Sequence, residues 1–323
     1  MTSAKHPPVV LVVSTAEDEH ARVVLAELER LAADARLLNL SEFPEGASLV
    51  MRYGREPDAQ YALRWNGNGK LDLRHVHAIW WRRPQPFTIH AGITRPAHRA
   101  FAYSESQEAF AGLWEALQPF WVNHPSNDER ASHKPYQLEM ARRVGLAVPE
   151  TLITNDRLEA RRFIENCGPS GAIYKAFTAT EHDWRETRLV RSEELELLEN
   201  VRHAPVIFQE YVPAGADVRA TIVGDELYAA AIYAKQTAYE FDFRIDMNAA
   251  RTEAVELPVS VSEQLLKLVR SLGLMYGAID LRLTPDGRYV FLEINPAGQW
   301  LFVEQRTRQP ITAALARLLV RQS

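Results

Sequence analysis

The sequence contains almost no cysteine and no long apolar run. Its 323 residues include a single cysteine, Cys167, so the chain cannot form an internal disulfide bond. Chains of this size without a disulfide framework are typical of reducing compartments, and we expect a cytoplasmic protein. No stretch approaches the roughly 18 continuous apolar residues of a membrane helix, and the first residues, MTSAKHPP, lack the apolar segment of a signal peptide. We therefore predict a soluble protein with no membrane partner.

Basic residues are too few for a protein that binds nucleic acid. Lysine and arginine total 37 against 42 aspartates and glutamates, which gives a formal net charge of -5. Binding to a phosphate backbone favours a basic excess, so we expect no nucleic-acid partner. The chain is 46% hydrophobic and longer than one domain usually is. We predict two or three domains around large cores.

The N-terminal region has the pattern of a βαβ unit. The apolar run Pro8 to Val13 predicts a strand, apolar residues from Ala21 to Leu31 recur at helical spacing, and Ala35 to Leu40 predicts a second strand. The connecting sequence STAEDEH contains no glycine. Because glycines let a dinucleotide pyrophosphate approach a helix N-terminus, a nicotinamide or flavin site is disfavoured here.

A predicted strand from His77 to Trp81 runs into a tryptophan and arginine segment, Trp80 to Pro84. Two interpretations stay open. In the first, the tryptophans belong to the core and the two arginines are a solvated pair at the strand end. In the second, the arginines face a nucleotide phosphate or an acidic peptide at the domain seam.

The rest of the chain alternates helices and strands. A helix from Ala97 to Leu117 and a short strand from Trp121 close the first domain, and a helix from Asp128 to Val144 follows. Later come two hairpins, 218–223 with 227–232 and 278–283 with 289–294, and a last amphipathic helix. We predict a division into three regions, 1–122, 123–205 and 206–323.

The strongest chemical signal lies in the last hairpin, GAIDLRLTPDGRYVFLEINPAGQW. Glu293 and Asn295 are two residues apart and therefore point to one face of a strand. The turn that follows Leu283 makes the preceding strand their partner, which brings Asp280 alongside. Two carboxylates and one amide oxygen form a set suited to Mg²⁺. Adjacent carboxylates in a sheet repel each other unless a cation lies between them, which favours a metal site over a structural role.

Two lysines and one glutamate precede this hairpin. Lys134 opens a predicted helix, where a lone lysine is more often solvated surface than a ligand. Lys175 lies in the strand GAIYKAF among apolar and aromatic neighbours, which favours a phosphate ligand. In VIFQEYVPAGADVRATIVGD a strand runs into a connector whose backbone groups can read an adenine edge, with Glu210 accepting from its amino group.

In this order and spacing, the motifs from Asn123 to Glu304 resemble the ATP-grasp superfamily of carboxylate-amine ligases. The most specific parts are Gln209-Glu210-Tyr211-Val212, Asp217-Val218-Arg219, and Asp280 with Glu293-Ile294-Asn295-Pro296. The resemblance implies an α/β chain in which two α+β subdomains grip ATP, preceded by an N-terminal α/β pre-ATP-grasp domain. It further implies Lys134 and Lys175 as ligands of the α and β phosphates, Glu210 and the Val212 backbone as ligands of adenine, Gln209, Tyr211 and Asp217 as further nucleotide-binding residues, and Asp280, Glu293 and Asn295 as Mg²⁺ ligands.

Three further features resemble the microviridin-type branch, the graspetide synthetases. They are Trp80 to Pro84, Asp242-Phe243-Arg244, and the ending Asn295 to Trp300. This resemblance covers nearly the whole chain. It implies an ADP-forming ligase that makes side-chain ester or amide crosslinks in a ribosomally made precursor peptide with a leader segment. It also suggests a homodimer.

A ligase of this kind converts a carboxylate into an acylphosphate with ATP, after which a second nucleophile displaces phosphate. We expect Arg244 and Arg219 to stabilise the acylphosphate and the oxyanion, because a guanidinium fork matches both groups, and Lys175 to neutralise charge on the phosphoryl oxygens. One feature departs from the superfamily pattern. The segment AFTATEHDWRET after Lys175 contains no glycine, where many ATP-grasp enzymes carry a glycine-rich phosphate loop.

The same segment lies near the leader-peptide site in the graspetide branch. Glu181, His182 and Asp183 are candidates for contacting a basic leader helix, and the alternative is an exposed acidic turn.

Two other functions share parts of this pattern. A glutamyl or amino-acid ligase that modifies a protein or peptide terminus has the same ATP site. A nucleotide-sensing or peptide-carrier module binds ATP without turnover. The complete set of Asp280, Glu293 and Asn295 argues against the second, because a degenerate site is free to lose its metal ligands.

Overall fold

The computed structural model describes residues 7–54, 60–65, 69–177, 187–233 and 251–321. The chain forms two compact units. The first contains the chain up to Asp128, the segment Leu274–Tyr276 and the chain from Pro310 on, and the second contains Glu129–Gly273 and Gly277–Gln309. Within the described ranges, no helix is long and apolar enough to cross a membrane. The division into three regions stays a prediction.

The strands, in chain order, are β1 (Val9–Val13), β2 (Asp34–Leu38), β3 (Ala47–Arg52), β4 (Gln60–Trp65), β5 (Gly69–Asp72), β6 (Val76–Trp81), β7 (Phe120–Val122), β8 (Thr151–Thr154), β9 (Ala172–Lys175), β10 (Arg188–Leu189), β11 (Val206–Glu210), β12 (Ala216–Val223), β13 (Glu226–Tyr233), β14 (Arg251–Ala254), β15 (Tyr276–Leu283) and β16 (Tyr289–Asn295). The helices are α1 (Glu19–Arg30), α2 (Pro96–Ala116), α3 (Pro125–Ser132), α4 (Lys134–Arg143), α5 (Arg157–Asn166), α6 (Val259–Ser271), α7 (Leu301–Thr307) and α8 (Ile311–Val320). Residues Ser192–His203 form 3₁₀ turns.

The first unit confirms the predicted βαβ arrangement. Strand β1 lies between β2 and β6 in a parallel sheet of order β2-β1-β6-β7, and α1 connects β1 to β2. Asp18 caps α1, because its carboxylate accepts a hydrogen bond from the backbone N–H of His20 at 2.8 Å. A second, antiparallel sheet consists of β3, β4 and β5. Helix α8 packs on α1 and β6 and so completes this unit from the far end of the chain.

The tryptophan and arginine segment divides between the core and the surface. Trp80 is buried and Arg83 is exposed, as the first interpretation expects. Arg82 differs, because it is only 1% exposed and its Nε donates to a carboxylate oxygen of Asp18 at 3.1 Å. The expectation that both arginines are solvated is therefore wrong for Arg82. Arg82 directly follows β6. Because its charge is buried, it requires an oppositely charged partner, and the Asp18 carboxylate that caps α1 is that partner.

Asp128, like Asp18, is a partly buried carboxyl group of the first unit. Burial raises the pKa of Asp128 to about 7, against the opposing effects of a hydrogen bond from Asn123 and the charge of Arg82. The Asn123 side chain also accepts from the backbone N–H groups of Met275 at 2.8 Å and Tyr276 at 3.0 Å, and donates to the Tyr276 carbonyl at 3.0 Å. These bonds explain why a short segment near residue 275 belongs to the first unit.

The Asp128→Asn variant is expected to be more stable than the wild type at alkaline pH. The pKa of Asp128 in the folded protein, about 7, lies above its ordinary value of 3.8, so between these values the folded state holds a proton that the unfolded chain has lost. Wild-type stability therefore falls as the pH rises through this range, whereas the amide does not ionise. Urea unfolding should give the variant an advantage of about 2 to 4 kcal/mol at pH 8 that disappears towards pH 4.

The control is Asp225→Asn, which replaces an exposed carboxylate and should not be more stable than the wild type at pH 8. A pH-independent difference for Asp128→Asn would mean that Asp128 does not titrate near neutrality.

The second unit contains two sheets. Strands β10, β9, β11 and β8 form an antiparallel sheet in that order, and β14-β13-β12-β15-β16 is the order of the other. The predicted hairpins β12–β13 and β15–β16 are confirmed by their registers. The four-stranded sheet packs its Phe208 side against α5 and the 3₁₀ turns, around Ala160, Leu198 and Val201.

One helix of the sequence prediction is interrupted. The predicted helix Asp128 to Val144 is wrong as one element, since α3 ends at Ser132 and α4 begins at Lys134. Pro135 has no N–H to donate and its ring clashes with the preceding turn, so it fits only at the start of a new helix. The predicted last amphipathic helix is confirmed as α8, and it is separated from α7 by Arg308, in a left-handed conformation with φ 59°, and by Pro310.

Candidate active site

The predicted metal ligands lie on the hairpin of β15 and β16. Asp280 is paired directly with Glu293, and Ala278 is paired with Asn295. Directly opposed residues of an antiparallel pair share a face, as do residues two apart on one strand. The predicted register is confirmed, and the three oxygen-bearing side chains Asp280, Glu293 and Asn295 lie on the same face of the sheet.

Each of the two carboxylates has a cation beside it. The Lys134 ammonium, at the start of α4, is paired with Glu293. Arg219 of β12 places its Nε 2.9 Å from the Oδ1 atom of Asp280, and both side chains of this pair are almost entirely buried. These cations offset the repulsion and desolvation cost of two neighbouring carboxylates.

The oxygen set fits Mg²⁺ by its chemistry, because hard carboxylate and amide oxygens are the donors that this ion takes. In the described part of the chain, no three His, Cys, Asp and Glu side chains come together as a metal-binding group. The assignment of Asp280, Glu293 and the amide of Asn295 as Mg²⁺ ligands stays a prediction.

Gly298, just beyond these predicted ligands, is required by close packing. A Cβ atom at this position would lie 2.3 Å from the Cβ atom of Ala278 and 3.4 Å from a guanidinium nitrogen of Arg219. A side chain at this position would therefore displace the strand that carries Asp280.

Lys175 is held by a buried amide on the inner strand of its sheet. Its Nζ donates to Oε1 of Gln209 at 3.0 Å, and the Nε2 of Gln209 donates to Oγ1 of Thr151 at 2.8 Å. Gln209 is 1% exposed, so its orientation is fixed by these two bonds. The structure thus gives Gln209 a direct contact with Lys175, the predicted phosphate ligand.

Glu210 makes two backbone contacts at the end of β11. Its Oε1 accepts a hydrogen bond from the backbone N–H of Glu150 at 3.0 Å, and its own N–H donates to the Glu150 carbonyl at 2.9 Å. A cavity of about 610 Å³ opens beside it, between α4 and β8, and the predicted phosphate and metal ligands do not line it. One carboxylate oxygen of Glu210 therefore accepts from the Glu150 backbone. The predicted adenine contact needs a carboxylate oxygen directed at the nucleotide, and it stays a prediction.

Asp217 is joined to an arginine that the sequence analysis did not single out. Its Oδ1 accepts from Nε and Nη2 of Arg282 at 3.0 and 2.9 Å, and Nη1 of Arg282 donates to the Val212 carbonyl at 3.1 Å. The sequence does contain a signal, because the pattern Asp-x-Arg occurs on β12 and again on β15. Each aspartate meets the arginine of the neighbouring strand.

Several predicted residues lie outside the described ranges. These are Arg244 with its neighbours Asp242 and Phe243, and the segment Glu181, His182 and Asp183.

Two family models match the chain and define its class. The model of the MvdD pre-ATP-grasp domain matches residues 9–129, and the model of the RimK-like ATP-grasp domain matches residues 131–319. The predicted ATP-grasp fold with a preceding pre-ATP-grasp domain is confirmed. Within this class, the chain belongs to the RimK-like ATP-grasp family.

Solved structures resemble the chain over almost its whole length. The macrocyclase MdnC of Microcystis aeruginosa, bound with the precursor peptide MdnA, is 29% identical with a TM-score of 0.87, over 98% of this chain and 100% of that one. The ATP-grasp ligase PsnB, complexed with a minimal precursor, Mg and ADP, is 26% identical with a TM-score of 0.76, over 97% and 96% of the two chains. The predicted resemblance to ligases of ribosomal precursor peptides is confirmed.

Curated relatives are similar over a shorter range. A probable alpha-L-glutamate ligase of Rhodopirellula baltica is 25% identical over 251 residues, which is 76% of this chain. The match spans 60% of that relative's length.

Proposed function

We propose that this protein is an ADP-forming ATP-grasp ligase that forms side-chain ester or amide crosslinks in a ribosomally made precursor peptide. The observation that carries the proposal is the shared face of Asp280, Glu293 and Asn295, with Lys134 and Arg219 beside the two carboxylates. The similarity to precursor-bound macrocyclases over nearly the full length, first unit included, supports a peptide substrate.

ATP is needed because a carboxylate does not condense with an alcohol or amine in water. The acid is ionised at neutral pH, and hydroxide is a poor leaving group. An oxygen of the substrate carboxylate attacks the γ phosphorus, the bond from that phosphorus to its bridging oxygen breaks, and ADP leaves. The hydroxyl or amine then attacks the acyl carbon, loses its proton and expels phosphate. The result is one new ester or amide bond and the net loss of one water.

Mg²⁺, when bound to Asp280, Glu293 and Asn295, neutralises charge on the phosphate oxygens. Lys134 and Arg219 contact these carboxylates here. They are proposed to turn to phosphate oxygens when substrate is bound. Lys175, oriented by Gln209, supplies a further positive charge, and Arg244 is proposed to act with Arg219 on the acylphosphate and the oxyanion. Glu210, Tyr211, Val212 and Asp217 are proposed to form the adenine end of the site.

The partner is a precursor peptide with a leader segment, and Glu181, His182 and Asp183 are proposed to contact it. A homodimer, a cytoplasmic location and the lack of a nucleic-acid partner stay predictions.

A glutamyl or amino-acid ligase is the second candidate, and the identity to probable glutamate ligases favours it. It would use the same ATP site and add a free amino acid to a protein or peptide terminus.

Intact mass spectrometry of the product separates the two candidates. A short precursor peptide with clustered acidic and Thr, Ser or Lys residues, taken from a gene adjacent to this one, is incubated with the protein, Mg²⁺ and ATP. The proposal expects loss of one water per bond formed, with stoichiometric ADP. A gain of an amino-acid residue mass when free amino acids are supplied would establish the alternative, and a peptide unchanged in mass without ADP release would contradict both for that substrate.

A further inference from the structure

The connector between β11 and β12, residues 211–215, forms hydrogen bonds with the end of β15 at two points. Arg282 donates through Nη1 to the Val212 carbonyl at 3.1 Å, and the backbone N–H of Gly215 donates to the Leu283 carbonyl at 2.7 Å. The Arg282 guanidinium also lies 6.0 Å from the centre of the Tyr211 ring. Strand β15 therefore determines where the backbone of the connector lies.

Arg282 can hold the connector because its own position is fixed. It is 7% exposed, and Asp217, 6% exposed, accepts from two of its nitrogens. A guanidinium has five N–H donors in a rigid fork, so it can bond a carboxylate and a carbonyl together. An ammonium group lacks this planar fork, and Lys at position 282 is expected to retain one of the two contacts.

The second Asp-x-Arg pair provides an internal comparison. Arg219 and Asp280 are joined across the same two strands, but their pair includes a proposed metal ligand. Arg282 and Asp217 instead contact the connector. Two pairs of the same chemistry thus differ in what they contact, since one includes a proposed metal ligand and the other contacts the connector.

We propose that Arg282 is a positioning residue that fixes the Val212 connector and thereby makes the site selective for adenine over guanine nucleotides. This inference rests on the proposed function, in which the Val212 backbone and Glu210 read the adenine edge. Adenine and guanine present donors and acceptors in different places on that edge. A backbone edge held in one position matches one of them, whereas a connector that moves accommodates both.

The test compares Arg282→Lys with Arg219→Lys and the wild type. Calorimetry measures the binding of ADP and GDP without peptide, and steady-state assays of ADP and GDP release measure KM and kcat for MgATP and MgGTP. For Arg282→Lys we expect ADP binding to weaken about tenfold, the ADP to GDP preference to fall about tenfold, and kcat to stay within about twofold. For Arg219→Lys we expect the larger loss in kcat and an unchanged base preference.

A second variant tests the connector without a substitution at position 282. In Gly215→Ala the new Cβ would lie 3.3 Å from the Leu283 carbonyl oxygen, so it disturbs the other attachment point. It should shift KM and base preference in the same direction as Arg282→Lys. Thermal unfolding checks that each variant is folded. A folded Arg282→Lys or Gly215→Ala protein with wild-type base preference would overturn the inference.

The nucleotide measurements also separate this inference from the proposed function. If the peptide is never crosslinked but ADP selectivity falls as expected, the inference stands and the peptide-ligase proposal fails. If the peptide is crosslinked but the variants keep the wild-type selectivity for ADP, the peptide-ligase proposal stands and this inference fails.

Discussion

Glu293→Gln is expected to reduce the rate of ATP-dependent crosslinking of the precursor by about 10³-fold. Removal of a single group that stabilises charge in a transition state typically causes a rate loss of this size. The substitution keeps the size of the side chain but removes one of two carboxylates from the proposed Mg²⁺ site. It also leaves Lys134 without the charge that it contacts. The measurement is the rate of ADP release together with the peptide mass.

Binding of Mn²⁺, followed by electron paramagnetic resonance in the presence of ADP, provides a readout that does not depend on turnover. It should weaken in Glu293→Gln. The control is Asp286→Asn, an exposed carboxylate in the turn of the same hairpin, which should leave the rate and the Mn²⁺ affinity unchanged. Wild-type Mn²⁺ affinity in folded Glu293→Gln would remove Glu293 from the metal site.

Arg82→Met is expected to produce the largest loss of stability, about 3 to 5 kcal/mol in the free energy of unfolding. The substitution leaves the Asp18 carboxylate buried without the guanidinium that it contacts. Burial works to raise the pKa of Asp18, but the hydrogen bond with His20 and the Arg82 charge outweigh it and hold the pKa well below its usual range. Methionine fills a similar volume, so the loss reports the charge rather than a cavity.

Two variants test this explanation by urea unfolding. Arg83→Met changes the adjacent, exposed arginine and should alter stability by no more than about 0.5 kcal/mol. Adding Asp18→Asn to Arg82→Met should restore part of the loss, because asparagine still caps α1 but carries no buried charge. Equal effects of Arg82→Met and Arg83→Met would show that the buried pair contributes little.

The local elements of both units were predictable because their signals are local. Strand β1, helix α1 and the hairpins β12–β13 and β15–β16 follow from apolar periodicity and turn residues. The predicted helix Asp128 to Val144 does not include the break before Lys134, although Lys134 is also predicted to open a helix and Pro135 fits only the first turn of one. Strand β3 lacks a clear alternating pattern, because only one of its six residues is fully buried.

The sequence by itself determined the oxygen face of Asp280, Glu293 and Asn295, because a strand period of two and a short turn fix which side chains share a face. Only the tertiary structure decided which cation meets which carboxylate. Lys134 is 159 residues from Glu293, and Arg282 is 65 residues from Asp217. Such pairs depend on which strands and helices become neighbours. Apolar periodicity specifies the buried face of an element but carries no information about the element that will cover it.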